Sequence, residues 1–174
     1  MTRLPPARVV RAATAVRSTL QNLTRRMVPP EIGLLELASG FMATHAVYAA
    51  AKLGIADVLA NGPLSAADVA AEVGSNPDAT HRLLRACAAF GVFREGPDGR
   101  FGLTPLANGL RSGTRDSMLP VILMLGDPHY QGTWSQLAHT VETGIPGAEK
   151  IFGGSMWDYL DHDPEFAATV NNAM

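Results

Sequence analysis

With 174 residues, 47% of them hydrophobic and only 6% aromatic, the chain can bury a core of one domain or slightly more, packed mainly by alanine and leucine. No apolar run approaches the roughly 20 residues that span a bilayer, so a membrane helix is not expected. A single cysteine, Cys87, makes neither a disulfide framework nor a cysteine-type zinc site, and fits a reducing cytosol.

The formal charge of −2 hides an asymmetry. Residues 1–30 hold six arginines (Arg3, Arg8, Arg11, Arg17, Arg25, Arg26) and no acid, whereas residues 31–174 hold eight basic and sixteen acidic groups. Such an arm predicts docking on an acidic surface, its own or a partner's; its Arg-rich, acid-poor composition is also that of an organellar transit peptide. From Ala7 to Met27, Val9, Ala13, Val16, Leu20, Leu23 and Met27 recur at helical spacing and give a narrow apolar stripe that must dock somewhere. Pro29-Pro30 breaks this helix. A long second helix follows from Glu31 to about Lys52, with Leu34, Leu37, Ala38, Phe41, Met42, His45, Tyr48 and Ala49 on one broad face. Leu34, Phe41 and Tyr48 are expected to face a partner subunit. Gly33 and Gly40 cost about 1 kcal/mol each there unless close helix approach uses them. His45 is either a ligand-facing base or a hydrogen-bonded core or interface residue.

The densest boundary chemistry lies between Leu53 and Leu103, and it reads as a winged helix. A short helix from Ile55 to Ala60 is closed by Asn61-Gly62-Pro63. Ser65 with Asp68 forms a capping-box pattern for a second helix, with Val69, Ala70 and Val73 inward, which Gly74 ends. Asn76-Pro77-Asp78 opens a third with a cap, a first-position proline and an acid at the positive dipole end. Leu83, Leu84, Cys87, Ala88 and Phe90 make its inner face. Val92-Phe93-Arg94 and Arg100-Phe101-Gly102-Leu103 then alternate around a Pro-Asp-Gly turn, the signal of a β-hairpin.

Beyond the wing, Thr104-Pro105 caps a short helix ending near Leu110, and Arg111–Thr114 is a loop. Met118–Leu125 is an apolar run with Pro120 in its first turn, compatible with a buried helix or a pocket wall. Asp127-Pro128 starts a helix that holds His129, Tyr130, Trp134, Leu137, Ala138 and Val141. Gly144–Gly147 is a turn, Phe152–Gly154 a loop and Met156–Leu160 a short helix. Asp163-Pro164-Glu165 opens the last helix, with Phe166, Val170 and Met174 on one side. No C-cap closes it, so the chain is expected to be cut inside a helix.

Little catalytic chemistry is visible. There is no HExxH, no Cys-x-x-Cys pair, no Walker loop, no G-x-S-x-G and no strand-borne G-x-G-x-x-G. The five histidines are scattered, no metal site is expected, and the carboxylates Asp158, Asp161, Asp163 and Glu165 suit helix capping. DNA binding is the alternative open to a winged helix. Its third helix would offer Thr80, His81, Arg82 and Arg85, and the wing Arg94 and Arg100, against Glu95, Asp98, Asp68 and Glu72, a weak footprint for phosphates.

The motifs Leu53–Leu59, Gly62-Pro63-Leu64-Ser65, Arg82-Leu83-Leu84-Arg85, Phe90–Phe93 and Gly99–Pro105 occur in order with the Trp134-x-x-Leu137 helix, Asp163-Pro164-Glu165-Phe166 and Ala173-Met174. Together, over about residues 35–174, they resemble the N-terminal dimerisation domain of the small-molecule O-methyltransferases that use S-adenosylmethionine, of the caffeic-acid, acetylserotonin and bacterial polyketide-tailoring types. The resemblance implies a mainly α fold with one small β-hairpin, divided into a basic arm (1–30), a winged-helix dimerisation domain (31–112) and a helical substrate lid (113–174). It implies a cytoplasmic homodimer acting on a small-molecule acceptor, with no nucleic acid or membrane partner. It further implies that Trp134, Phe166 and Met174 line the acceptor pocket, Met174 peripherally near the methyl donor. Gln131, Met156, Leu160 and Val170 fall at positions that tune acceptor choice; ordinary core packing is the alternative for all seven. The cofactor loop, its acidic ribose partner and the catalytic base would lie in a Rossmann-like domain that these residues do not include. This chain alone is then expected to be inactive and to bind no S-adenosylmethionine.

Overall fold

The computed structural model describes residues 6–174, the side chain of Arg25 excepted, so Arg3 lies outside the described residues. Two compact units, Met1–Phe41 and Met42–Met174, are described separately.

The first contains α1 (Ala7–Arg26) and α2 (Pro30–Ala38). On α1 the stripe residues Val9, Val16, Leu20 and Leu23 are exposed, and among the described residues no ion pair engages Arg8, Arg11, Arg17 or Arg26. Pro30 stands at the first position of α2, where its missing N–H costs nothing. The expected long second helix carries one irregular residue, Ser39, which keeps a right-handed helical backbone while its Oγ donates to the carbonyls of Leu35 and Glu36, and α3 (Gly40–Lys52) follows directly. Residues 30–52 are 23 residues long and apolar enough, by length and composition only, to cross a membrane. The sequence expectation that no run approaches that length is corrected on this point. A helix that offers its apolar side to a partner meets the same two criteria.

The second unit holds the winged helix. Ile55–Val58 forms α4, tightened into a 3₁₀ turn over Leu59–Asn61. The capping box of α5 (Ala66–Val73) forms as expected, with Asp68 N donating to Ser65 Oγ at 3.2 Å and Ser65 N to the Asp68 carboxylate at 3.4 Å. Asn76 caps α6 (Pro77–Ala89) through Ala79 N at 3.0 Å. The hairpin pairs β1 (Phe93–Glu95) antiparallel with β2 (Phe101–Leu103), Arg94 opposite Gly102. Leu64 and Phe101 exchange both backbone bonds across a further bridge.

Around these elements lies one core of Ile55, Leu59, Val69, Leu84, Phe93 and Phe101, with Ala50, Ala51 and Cys87 from the helices. Cys87 is fully buried, as the small hydrophobe it was expected to be, and burial pushes its thiol up to about 11. Phe90, placed inward by its spacing, is instead 47% exposed because it caps the end of α6.

The remaining chain is helical. A 3₁₀ turn (Ala107–Leu110) is held by Thr104, whose Oγ1 accepts from Ala107 N and donates to Val92 O. After it come α7 (Leu119–Gly126), α8 (Pro128–Trp134) and α9 (Leu137–Thr143). The single helix expected from Asp127 onward is thus two, broken at Ser135-Gln136. Next are α10 (Gly147–Phe152), read from sequence as turn and loop, α11 (Met156–Leu160) and α12 (Pro164–Ala173), which packs against α7. At the end of α7, Gly126 meets Tyr48 of α3 so closely that a Cβ there would fall within the tyrosine side chain. Tyr48, expected to face a partner subunit, is half-buried and packs on Gly126 within its own chain.

Candidate functional site

Two aspartates organise the helical segment. Asp127 caps α8, accepting from His129 N at 2.8 Å, and Asp163 caps α12, accepting from Phe166 N at 3.0 Å. Pro128 and Pro164 follow them at the first helical position, so the same Asp-Pro chemistry opens both helices. His129 links the two. Its Nδ1 lies 2.9 Å from Asp127 Oδ1 and its Nε2 3.5 Å from Asp163 Oδ2. Tyr159 Oη donates to Asp163 Oδ2 at 3.2 Å. The Phe166 amide, with Tyr159 and His129, holds the Asp163 carboxyl below the usual carboxylate range, while burial raises the Tyr159 phenol.

Aromatic rings pack on this polar link. His129 lies over Phe166 with centroids 4.8 Å apart, and Phe152 stacks on Tyr159 at 4.1 Å. Nearby, Lys52 Nζ donates to Tyr48 Oη at 3.3 Å, which with Asp127 and Glu165 holds the ammonium pKa above its ordinary value.

Of the seven expected acceptor-pocket residues, the structure buries Phe166 and Val170 on the inner side of α12. Met156 and Leu160 are half-buried on α11, and Gln131 is half-buried with its amide donating to Leu125 O. Trp134 and Met174 are 57% and 79% exposed. Sequence reasoning missed His129, Tyr159 and Phe152; the one available signal was the repeated Asp-Pro, which marks caps but not what joins them.

A cavity of about 790 Å³ lies elsewhere, between α3, the 3₁₀ turn and the start of α7. Val47, Leu106, Leu110, Met118 and Ile122 line it together with Arg111, whose Nε is buried without a hydrogen-bond partner. None of the seven expected residues borders it. Arg85 of α6 lies 3.8 Å from Glu95 of the wing, and Arg100 of the wing 3.8 Å from Asp98, so part of the positive charge on this face meets carboxylates.

The family description "O-methyltransferase dimerisation domain" matches residues 35–112. The chain is 43% identical over 146 residues to the phenazine O-methyltransferase PhzM of Lysobacter antibioticus, covering 84% of this chain and 42% of that protein. Among solved structures, LaPhzM superposes with a TM-score of 0.78 at 43% identity, over 84% of this chain and 44% of that one. CalO1, a methyltransferase in calicheamicin biosynthesis in its S-adenosylhomocysteine-bound form, superposes with a TM-score of 0.75 at 36% identity, over 83% and 43%. The chain thus spans less than half the length of the relatives it matches.

The methyl donor of such enzymes is an adenosyl sulfonium, a nucleoside without phosphate. The sheet described here is a two-stranded hairpin, and the Gly153-Gly154 pair follows α10, Gly153 serving as its left-handed cap. A glycine-rich turn leading from a strand into a helix, which cradles such cofactors, is not among the described residues.

Proposed function

Because the chain belongs to the O-methyltransferase family, whose dimerisation domain it carries, we propose that it pairs two copies of its parent enzyme and forms one wall of the acceptor pocket. The winged-helix region (31–112) makes the pair, and residues 113–174 form the lid. Trp134, Phe166 and Met174 line the acceptor site, Met174 nearest the methyl donor, and Gln131, Met156, Leu160 and Val170 tune the choice of acceptor. The parent reaction is methyl transfer from S-adenosylmethionine to a hydroxyl of a small aromatic or polyketide-like molecule, in the cytoplasm. Its cofactor chemistry lies outside the residues described. Positioning is what these residues contribute.

One observation carries the pairing: α2 exposes Ile32, Leu34, Leu35 and Leu37, an apolar surface that water does not favour. The exposed Trp134 supports the lid, since a large apolar ring at the surface suits contact with a further domain.

Light scattering on the chain, run beside calorimetric titration with S-adenosylmethionine, tests the reading. The expected result is a particle of twice 18.4 kDa that takes up no cofactor, and Leu37→Asp should shift it toward monomers. Tight cofactor binding, or a wild-type monomer, would overturn it.

A further inference from the structure

The helix α1 exposes every one of its described side chains, although a helix owes most of its stability to packing an apolar face. At 3.6 residues per turn, Val9, Ala13, Val16, Leu20 and Leu23 share one sector about 80° wide. Arg8 and Arg26 flank that sector on one side and Arg17 on the other, while Arg11 stands opposite. The helix contains no acid, so Arg8 in its first turn meets the positive end of the dipole uncompensated. Thr14, Ser18, Thr19 and Thr24 turn their hydroxyls back onto carbonyls of the same helix. What α1 offers outward is therefore an apolar stripe edged by guanidinium groups.

A partner has to meet both. A nucleic acid takes the arginines and leaves the stripe in water. A groove on a second copy takes the stripe, but must then set carboxylates along both rims. An anionic lipid surface meets both at once, with the acyl boundary beneath the stripe and phosphates level with its edges. We propose that α1 lies flat on the surface of a membrane rich in acidic phospholipids. Val9, Val16, Leu20 and Leu23 enter the boundary between headgroups and acyl chains, and Arg8, Arg17 and Arg26 pair with headgroup phosphates. The proposal does not rest on the pairing or lid readings. α1 precedes the residues that match the family, 35–112, and the resemblance that implies no membrane partner has no motif on it.

The test is co-sedimentation of the full chain with vesicles of phosphatidylglycerol and phosphatidylcholine in equal parts, beside vesicles of phosphatidylcholine alone. Binding is expected to the first and not the second, and to weaken as salt is raised. Because residues 30–52 are themselves apolar enough to reach a bilayer, variants on α1 isolate its part. Leu20→Ser/Leu23→Ser, which keeps every charge, and Arg8→Gln/Arg11→Gln/Arg17→Gln, which keeps the stripe, should each weaken binding about tenfold or more. Circular dichroism and melting curves confirm that the variants fold. An environment-sensitive dye on Val16→Cys should shift to the blue on the anionic vesicles, and the same dye on Ser18→Cys, across the helix, should not. Cys87 takes no dye, being fully buried with its thiol pushed up to about 11. A chain that stays in the supernatant would overturn the proposal, and retention on duplex DNA instead would assign the arginines to nucleic acid. Binding that survives the serine pair would also overturn it, as would a Val16 dye already shifted before vesicles are added, since protein would then cover the stripe.

Discussion

Gly126 shows how much one absent side chain can decide. Its Cα sits against the Tyr48 ring, so Gly126→Ala would force α7 away from α3 or drive Tyr48 from its rotamer. Ala is the better helix former, by about 1 kcal/mol, yet overpacking of this kind costs about 1–3 kcal/mol. Thermal unfolding should show Gly126→Ala lowering the Tm by a few degrees, and an unchanged or raised Tm would mean that the contact yields easily. Nothing local in the sequence marks this glycine, because the partner that requires it lies far away along the chain. Cys87 was legible for the opposite reason: its burial follows from its place on the repeating apolar face of α6.

At the scale of elements, legibility divides along the same line. The caps of α5, α6, α8 and α12 are written within a few residues each, and Ser65, Asn76, Asp127 and Asp163 all accept the amides expected of them. The irregular points were not legible. Ser39 competes for the carbonyls of Leu35 and Glu36, and Ser135-Gln136 parts α8 from α9, where the apolar spacing alone continues smoothly. Nor was the union of two caps through His129. That union carries a pH dependence whose sign is fixed. The Asp163 carboxyl is depressed in the folded chain by the Phe166 amide, Tyr159 and His129, so its contribution is present above the unfolded carboxylate value, about 4, and is lost as pH falls through the folded one. Melting curves taken between about pH 6 and pH 2 should therefore fall less steeply for Asp163→Asn than for the wild type. Parallel acid limbs would remove Asp163 from the list of groups that matter. Asp68, depressed by Ser65, contributes with the same sign.

For the molecule as a whole, the mainly α fold with one wing followed from turn chemistry and spacing between Leu53 and Leu103, and the family resemblance added to that stretch the Trp134-x-x-Leu137, Asp163–Phe166 and Ala173-Met174 motifs. The proposed acceptor site was less readable, since its seven residues came from family positions and, of these, the chain buries Phe166 and Val170. A pair held through α2 also predicts a mass-action signature. Thermal stability should rise with chain concentration, by about 2 °C for each tenfold increase, because the folded state is the one that associates. A Tm independent of concentration would mean that pairing contributes nothing to folding.

The bridge between Leu64 and Phe101 bears on how the protein behaves in a crowded solution. A two-stranded hairpin has two open edges, each a template on which a stray strand can grow. Here β2 has its outer edge engaged by Leu64 through bonds of 2.8 and 3.0 Å, and β1 is three residues long with Arg94 and Glu95 exposed along it. One edge is occupied and the other is short and charged. The wing therefore gives little purchase to amyloid-like growth.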